Sequence, residues 1–167
     1  VIILLLLAEI FTLLTMCRRG HSHWKLLRQY RYAHRGYHGK DLAPENSLLA
    51  FKEAIRRGFG CELDVHLMKD GRLAVIHDAS LLRTAGAEVQ VEDLTAEELK
   101  SYRLEGTEER IPLLEEVLPL FEESGLPLVV ELKAERGDHD ALAAATCALL
   151  DQYKVLCCIE SFDPRCI

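Results

Sequence analysis

Residues 62–78 read ELDVHLMKDGRLAVIHD. Apolar residues alternate with polar ones on either side of an Asp-Gly dipeptide, which predicts two antiparallel strands joined by a two-residue type I′ turn at Asp70 and Gly71. In that register Lys69 faces Arg72, and Asp64 faces His77. Cross-strand partners point to the same side of a sheet, as do residues two apart on one strand. Glu62, Asp64 and His77 are therefore expected on one face. An exposed hairpin can carry such residues without using them, so the surrounding elements decide what this one does.

Working outward, YRYAHRG (30–36), LPLVVELK (126–133) and KVLCCIESF (154–162) read as further strands. Helical patterns separate them. PENSLLAFKEAIRRG (44–58) has an Asn46 or Ser47 cap, apolar Leu48, Phe51 and Ile55, and a terminating Gly58. PLLEEVLPLFEESG (112–125) is helical in spacing, with Pro119 expected to kink or split it. DHDALAAATCALLDQY (138–153) is an Ala-rich helix that Asp138 would cap. Residues 79–111 form a longer connection in which Thr95 and Glu98 make a capping box. Strands apolar on both faces and alternating with helices indicate an α/β fold with a parallel sheet covered by helices.

Four such units could close a small doubly wound sheet. The polar residues, however, gather at the C-terminal ends of the strands: His34 and Arg35, Glu62 and Asp64, Glu131 and Lys133, and Ser161. That edge is where ligands bind in barrels and open α/β sheets alike.

Composition narrows the class. The 167 residues have room for about one domain, and 49% apolar residues suffice for a core. A net charge of −7 argues against binding duplex nucleic acid, which relies on basic surface to displace counterions. Residues 1–16, VIILLLLAEIFTLLTM, are apolar apart from Thr12, Thr15 and Glu9, and every charged side chain from Arg18 to Lys40 is basic. This pattern predicts a partial transmembrane helix over 1–17, a basic linker over 18–29 and a membrane-anchored domain facing the cytoplasm. A charged Glu9 would cost such a span about 2.5 to 3.5 kcal/mol at mid-membrane. Six cysteines show neither zinc spacing nor a disulfide framework, and reduced thiols are expected.

HRG (34–36), PEN (44–46), ELDV (62–65), KDG (69–71), IHD (76–78), LLRT (81–84), RIPLLEEVL (110–118) and ELK (131–133) stand in an order and spacing that resembles the glycerophosphodiester phosphodiesterase family. The likeness runs from about His34 to the end of the chain. It implies a (β/α)8 TIM-type barrel of which residues 30–167 hold the first four β/α units, with 79–111 as a short insertion. Strands five to eight would be absent, making the chain a fragment truncated at both ends, inactive and poorly folded by itself. Ser47 stands where the family usually has Thr, and RTAG (83–86) replaces a run with two threonines.

The resemblance also implies roles. Glu62, Asp64 and Glu131 match the family's metal ligands, and three carboxylates with no sulfur suit one hard divalent cation, Ca2+ or Mg2+. Salt bridging of these acids by Lys133 and Arg35 is the plainer alternative. His34 and His77 match the catalytic pair, one taking a proton from the attacking oxygen and one giving a proton to the leaving oxygen. Arg35 and Lys133 resemble phosphate-binding residues. Glu45 and Asn46 are placed either behind the ligating residues, supporting them, or at the substrate edge. His66 reads as peripheral, Asp78 and Arg83 as structural, and the histidines at 21, 23, 38 and 139 as surface. The implied reaction is hydrolysis of a glycerophosphodiester to glycerol 3-phosphate and an alcohol. A lysophospholipase D acting on membrane lipids and a non-catalytic, membrane-tethered phosphate-binding barrel are the alternatives.

Overall fold

The structure, a computed structural model, describes residues 4–6, 9–11 and 23–166. Residues 4–6 and 9–11 are helical. The expected span over 1–17 falls largely outside the described residues. Among those described, no helix is long and apolar enough to cross a membrane. A short helix α1 (Trp24–Leu27) precedes strand β1 (Tyr32–His34).

The parallel strands β1, β2 (Gly60–Leu67), β4 (Leu128–Leu132) and β5 (Cys157–Glu160) lie side by side in chain order, and β3 (Leu73–Val75) pairs antiparallel with β2. The parallel strands keep a single direction of winding, with none of the reversal that marks a doubly wound sheet. Sequential winding puts the helices on one face and belongs to a barrel wall.

Side-chain parity follows from this arrangement. Cys61, Leu63 and Val65 of β2 and Leu128, Val130 and Leu132 of β4 share the main core with Phe51, Leu114, Val117, Leu118, Phe121 and Leu142 from the covering helices. The intervening positions occupy the other, inner face. One inner row pairs His34 with Glu62, and the next pairs Asp64 with Glu131 and Glu131 with Glu160.

Helix α2 (Leu48–Arg56) starts where Ser47 Oγ accepts from the Ala50 amide at 3.1 Å and donates to the Pro44 carbonyl at 2.7 Å. Gly36 lets α2 approach: its φ is +80°, and a Cβ there would lie 2.7 Å from the Cβ of Ala50. Helix α5 (Leu114–Ser124) runs unbroken through Pro119, because burial of Leu114, Val117, Leu118 and Phe121 outweighs the one lost backbone bond. Asp138 occupies the cap position of α6 (His139–Leu150), but its side chain makes no capping hydrogen bond. Between β3 and α5 lie α3 (Leu82–Ala85), a 3-10 turn (Val91–Asp93) and α4 (Ala96–Leu99), the last opened by the Thr95–Glu98 capping box. Their apolar residues close on Met68, Ala74 and Ile76 of the hairpin as a second, smaller core.

The hairpin itself differs from the sequence expectation by one residue. Val65 pairs with Val75, His66 with Ala74 and Leu67 with Leu73. The loop is closed by Met68 N–H to Arg72 O at 2.8 Å and by Gly71 N–H to Met68 O at 2.9 Å. Only Gly71, at φ +82°, adopts the left-handed conformation, whereas a type I′ turn needs it at both central residues. Asp70 is held otherwise: one oxygen accepts from Arg72 N–H at 3.3 Å and the other from Ala96 N–H at 2.8 Å, 26 residues away. A three-residue loop with a left-handed glycine results. Asp64 therefore does not face His77. Its carbonyl takes the Ile76 amide at 3.1 Å, and His77 lies just past the ladder.

Candidate active site

Alternation along β2 brings Glu62 and Asp64 to the inner face, and register with β4 sets Glu131 beside Asp64. One carboxylate oxygen from each of the three lies within 4.8 Å of the others. Oxygens around a single cation at 2.0–2.6 Å are at most about 5 Å apart, so the spacing fits one ion.

Two cations already serve two of these acids. Lys133 Nζ lies 2.7 Å from Glu131 Oε1 and 3.1 Å from Asp64 Oδ1, and Arg35 Nε lies 3.5 Å from Asp64 Oδ2. Asp64 is fully buried and also accepts from Asn46 Nδ2 at 2.9 Å. The salt-bridge alternative thus describes Asp64 and Glu131, but it leaves Glu62 out. Among the described residues, Glu62 Oε2 accepts only the backbone N–H of Arg35, at 3.0 Å, and has His34 Nε2 at 3.7 Å. Its Oε1 is buried without a hydrogen-bond partner among the described residues. Burial, then the charge of Asp64, push the Glu62 carboxyl up to about 7. An orphaned oxygen in an all-oxygen cluster is the chemistry that a hard divalent cation satisfies.

The backbone around the cluster is contorted to build it. Arg35 and Asn46 are non-glycine residues at φ +56° and +54°, tied together by Asn46 N–H to Arg35 O at 2.9 Å. Such conformations cost of order 1 to 3 kcal/mol each and persist where the surroundings over-determine them. Here they deliver Arg35 and Asn46 to Asp64 from the two loops flanking it.

His34 is exposed at the end of β1 and stands against Glu62. His77 is placed differently. Among the described residues no hydrogen bond or ion pair joins its ring to the three carboxylates. Instead its Nδ1 lies 2.6 Å from Asp78 Oδ1. Arg83 holds Asp78 Oδ2 at 2.6 Å and grips both oxygens of Glu45 at 2.6 and 3.0 Å; Glu45 in turn accepts from Arg35 at 3.0 Å. A chain of polar contacts therefore runs from His77 through Asp78, Arg83, Glu45 and Arg35 to Asp64. Bonding to Arg83 is the main reason that the Asp78 carboxyl is lowered to about 2. Glu45 is lowered as well: burial raises it, but Arg83 and Arg35 together outweigh that.

Four residues gain a place that sequence did not give them. Asp78 and Arg83 belong to this chain. His66, read as peripheral to the site, is fully buried, with Nδ1 2.8 Å from Glu92 Oε1 and Nε2 3.1 Å from the His77 carbonyl. Glu160 lies in register with Glu131 on the inner face, and burial followed by the Glu131 charge raises its carboxyl. Only the adjacency of Asp78 to His77 was open to sequence. An open cleft of about 640 Å³ beside Glu131 and Lys133 is also lined by Phe162, which is 92% exposed.

Comparison with known proteins agrees with this geometry. The glycerophosphoryl diester phosphodiesterase family model matches residues 34–152. A glycerophosphodiester phosphodiesterase of Bacillus altitudinis is 48% identical over 110 residues, 61% of this chain and 44% of that protein. A lysophospholipase D of Rattus norvegicus is 37% identical over 135 residues, 73% of this chain and 41% of that protein. An Oleispira antarctica phosphodiesterase, solved with the product sn-glycerol-3-phosphate, superimposes with a TM-score of 0.75 at 29% identity over 82% of this chain and 59% of that one. The chain thus spans less than half the length of these two curated relatives. With a family model matched over most of its length and a barrel-type parallel sheet beneath the matched motifs, the chain belongs to the glycerophosphoryl diester phosphodiesterase family.

Proposed function

We propose that the protein hydrolyses glycerophosphodiesters to glycerol 3-phosphate and an alcohol, with Glu62, Asp64 and Glu131 holding one Ca2+ or Mg2+ ion. The observation that carries this reading is the trio of carboxylate oxygens within 4.8 Å of one another, with His34 3.7 Å from Glu62. Bound there, the cation would supply charge to polarise a phosphoryl oxygen. The chain's own groups do the rest. Arg35 and Lys133, already at the cluster, present a guanidinium fork and an ammonium to phosphate oxygens. Glu45 holds Arg35 in place and Asn46 holds Asp64. With Nδ1 turned to Asp78, His77 keeps Nε2 for proton transfer, and His34 is the second imidazole. Water adds across the P–O bond: one histidine takes its proton and the other returns a proton to the departing alkoxide.

The test uses the full-length protein with glycerophosphocholine. Activity disappears with EDTA, returns with Ca2+ or Mg2+, and is lost in His34→Ala and His77→Ala. Wild-type rates in either variant, or in EDTA, refute the reading.

A lysophospholipase D activity is the second reading, favoured by the exposed Phe162 ring beside the cleft, which suits an acylated substrate. Comparing rates on lysophosphatidylcholine and glycerophosphocholine separates the two. The apolar N-terminal run and its basic flank support a membrane-tethered, cytoplasm-facing protein, which fractionation and protease protection in cells would test.

A further inference from the structure

We infer that His66 is a positioning residue for His77, fixing the backbone from which that imidazole reaches the phosphodiester. The inference rests on the two-histidine reading above. The β3 ladder ends at Val75, with the Ile76 amide bonded to the Asp64 carbonyl just beyond it, and among the described residues no strand hydrogen bond holds the His77 peptide. Its carbonyl is taken instead by His66 Nε2 at 3.1 Å.

His66 has no freedom to release it. The ring is fully buried, and Nδ1 is engaged by Glu92 Oε1 at 2.8 Å. Both ring nitrogens lie at hydrogen-bond distance from oxygens, a carboxylate on one side and the His77 carbonyl on the other. Glu92 is itself anchored. It belongs to the 3-10 turn Val91–Asp93, whose Asp93 is gripped by Arg136 at 2.6 and 3.0 Å, with Arg136 Nε 3.7 Å from Glu92 Oε2.

The same turn closes back on the catalytic segment, because Val91 N–H donates to the Ala79 carbonyl at 2.8 Å. A ring of contacts therefore runs from His66 to His77, along the chain to Ala79, across to Val91 and Glu92, and back to His66. Rotation of the peptide after His77 would break this ring and swing Asp78 away from the imidazole. A displacement of about 1 Å at a catalytic group can cost on the order of a hundredfold in rate. The insertion over 79–111 thus has a catalytic consequence through His66, without itself touching the carboxylate cluster.

The test compares three variants of the full-length protein, with glycerophosphocholine and saturating divalent cation. His66→Leu removes both ring nitrogens and leaves the buried Glu92 Oε1 without its partner, with Arg136 still near Oε2. His66→Leu/Glu92→Leu removes that carboxylate as well. His66→Gln keeps a donor for the His77 carbonyl. We expect kcat to fall about tenfold or more in His66→Leu with KM within about twofold. The double variant should recover the urea midpoint but not kcat, and His66→Gln should stay within about threefold of wild type. Recovery of kcat together with stability in the double variant, or a change confined to KM, would show that His66 only supports the fold. A His77→Ala control separates the two readings. Should it keep wild-type activity, the two-histidine reading fails and His66 has nothing to aim; should it be inactive while all three His66 variants keep wild-type kcat, the positioning inference alone fails.

Discussion

The carboxylate of Asp78 lies 2.6 Å from Nδ1 of His77 and is held from behind by Arg83, also at 2.6 Å. An acceptor at Nδ1 orients the imidazole, and in the proposed reaction Nε2 is then the reacting nitrogen. Because Arg83 also grips Glu45, and Glu45 holds Arg35, the orientation of His77 and the placement of the Arg35 guanidinium share one scaffold.

Replacing Asp78 by Asn keeps the shape and removes the charge that orients the ring. Asp78→Asn should lower kcat by roughly ten- to a hundredfold, with divalent-cation affinity unchanged because the three carboxylates are untouched. Steady-state kinetics alongside a cation titration check this. A loss of cation affinity would place Asp78 at the wrong centre.

The same contact gives a pH dependence of known sign. The folded Asp78 carboxyl is lowered from 3.8 to about 2, chiefly by its bond to Arg83. A depressed acid contributes stability that is present above its unfolded pKa and lost as the pH falls through the folded one. Asp78 is 29% exposed, so screening reduces the contribution to about 1 kcal/mol. Urea unfolding of wild type and Asp78→Asn should therefore differ at pH 5 to 6, with the gap narrowing below about pH 4 and closing near pH 2.

Glu62 carries the opposite expectation. It is a buried acid whose Oε1 has no hydrogen-bond partner among the described residues, set beside Asp64 and Glu131. Without a divalent cation, Glu62→Gln should stabilise the fold by about 1 to 3 kcal/mol, since it removes a buried like charge. With millimolar Ca2+ or Mg2+ the order should reverse, because wild type gains about 2.7 kcal/mol at a hundred times Kd and the variant gains little. Thermal unfolding with and without the cation measures both halves.

The three carboxylates were legible in sequence because two local rules sufficed. Residues two apart on a strand share a face, and the C-terminal ends of parallel strands gather at one edge. Placing Glu131 needed only the count of units between it and Glu62. The Asp-Gly turn was not legible, since whether it closes a two- or a three-residue loop depends on Asp70 reaching Ala96 from 26 residues away. The single-residue shift in register that follows is what removes His77 from opposite Asp64. The contacts of His66 were not legible for a related reason: its partner Glu92 lies in an irregular insertion whose path no periodicity encodes. Arg83, which looked structural, meets Glu45 across 38 residues, and Glu160 takes its place beside Glu131 only once the β4–β5 register exists.

The central claim is that acids from β2 and β4 hold one divalent ion within reach of two imidazoles. Anomalous diffraction from crystals of the full-length protein soaked in Mn2+ tests it most directly. The expected result is a single strong peak bonded to oxygens of Glu62, Asp64 and Glu131 at about 2.0 to 2.6 Å, with His34 and His77 turned toward it, and no peak in Asp64→Asn. A map with the cluster empty, the metal bound elsewhere, or the peak undiminished in Asp64→Asn would contradict it.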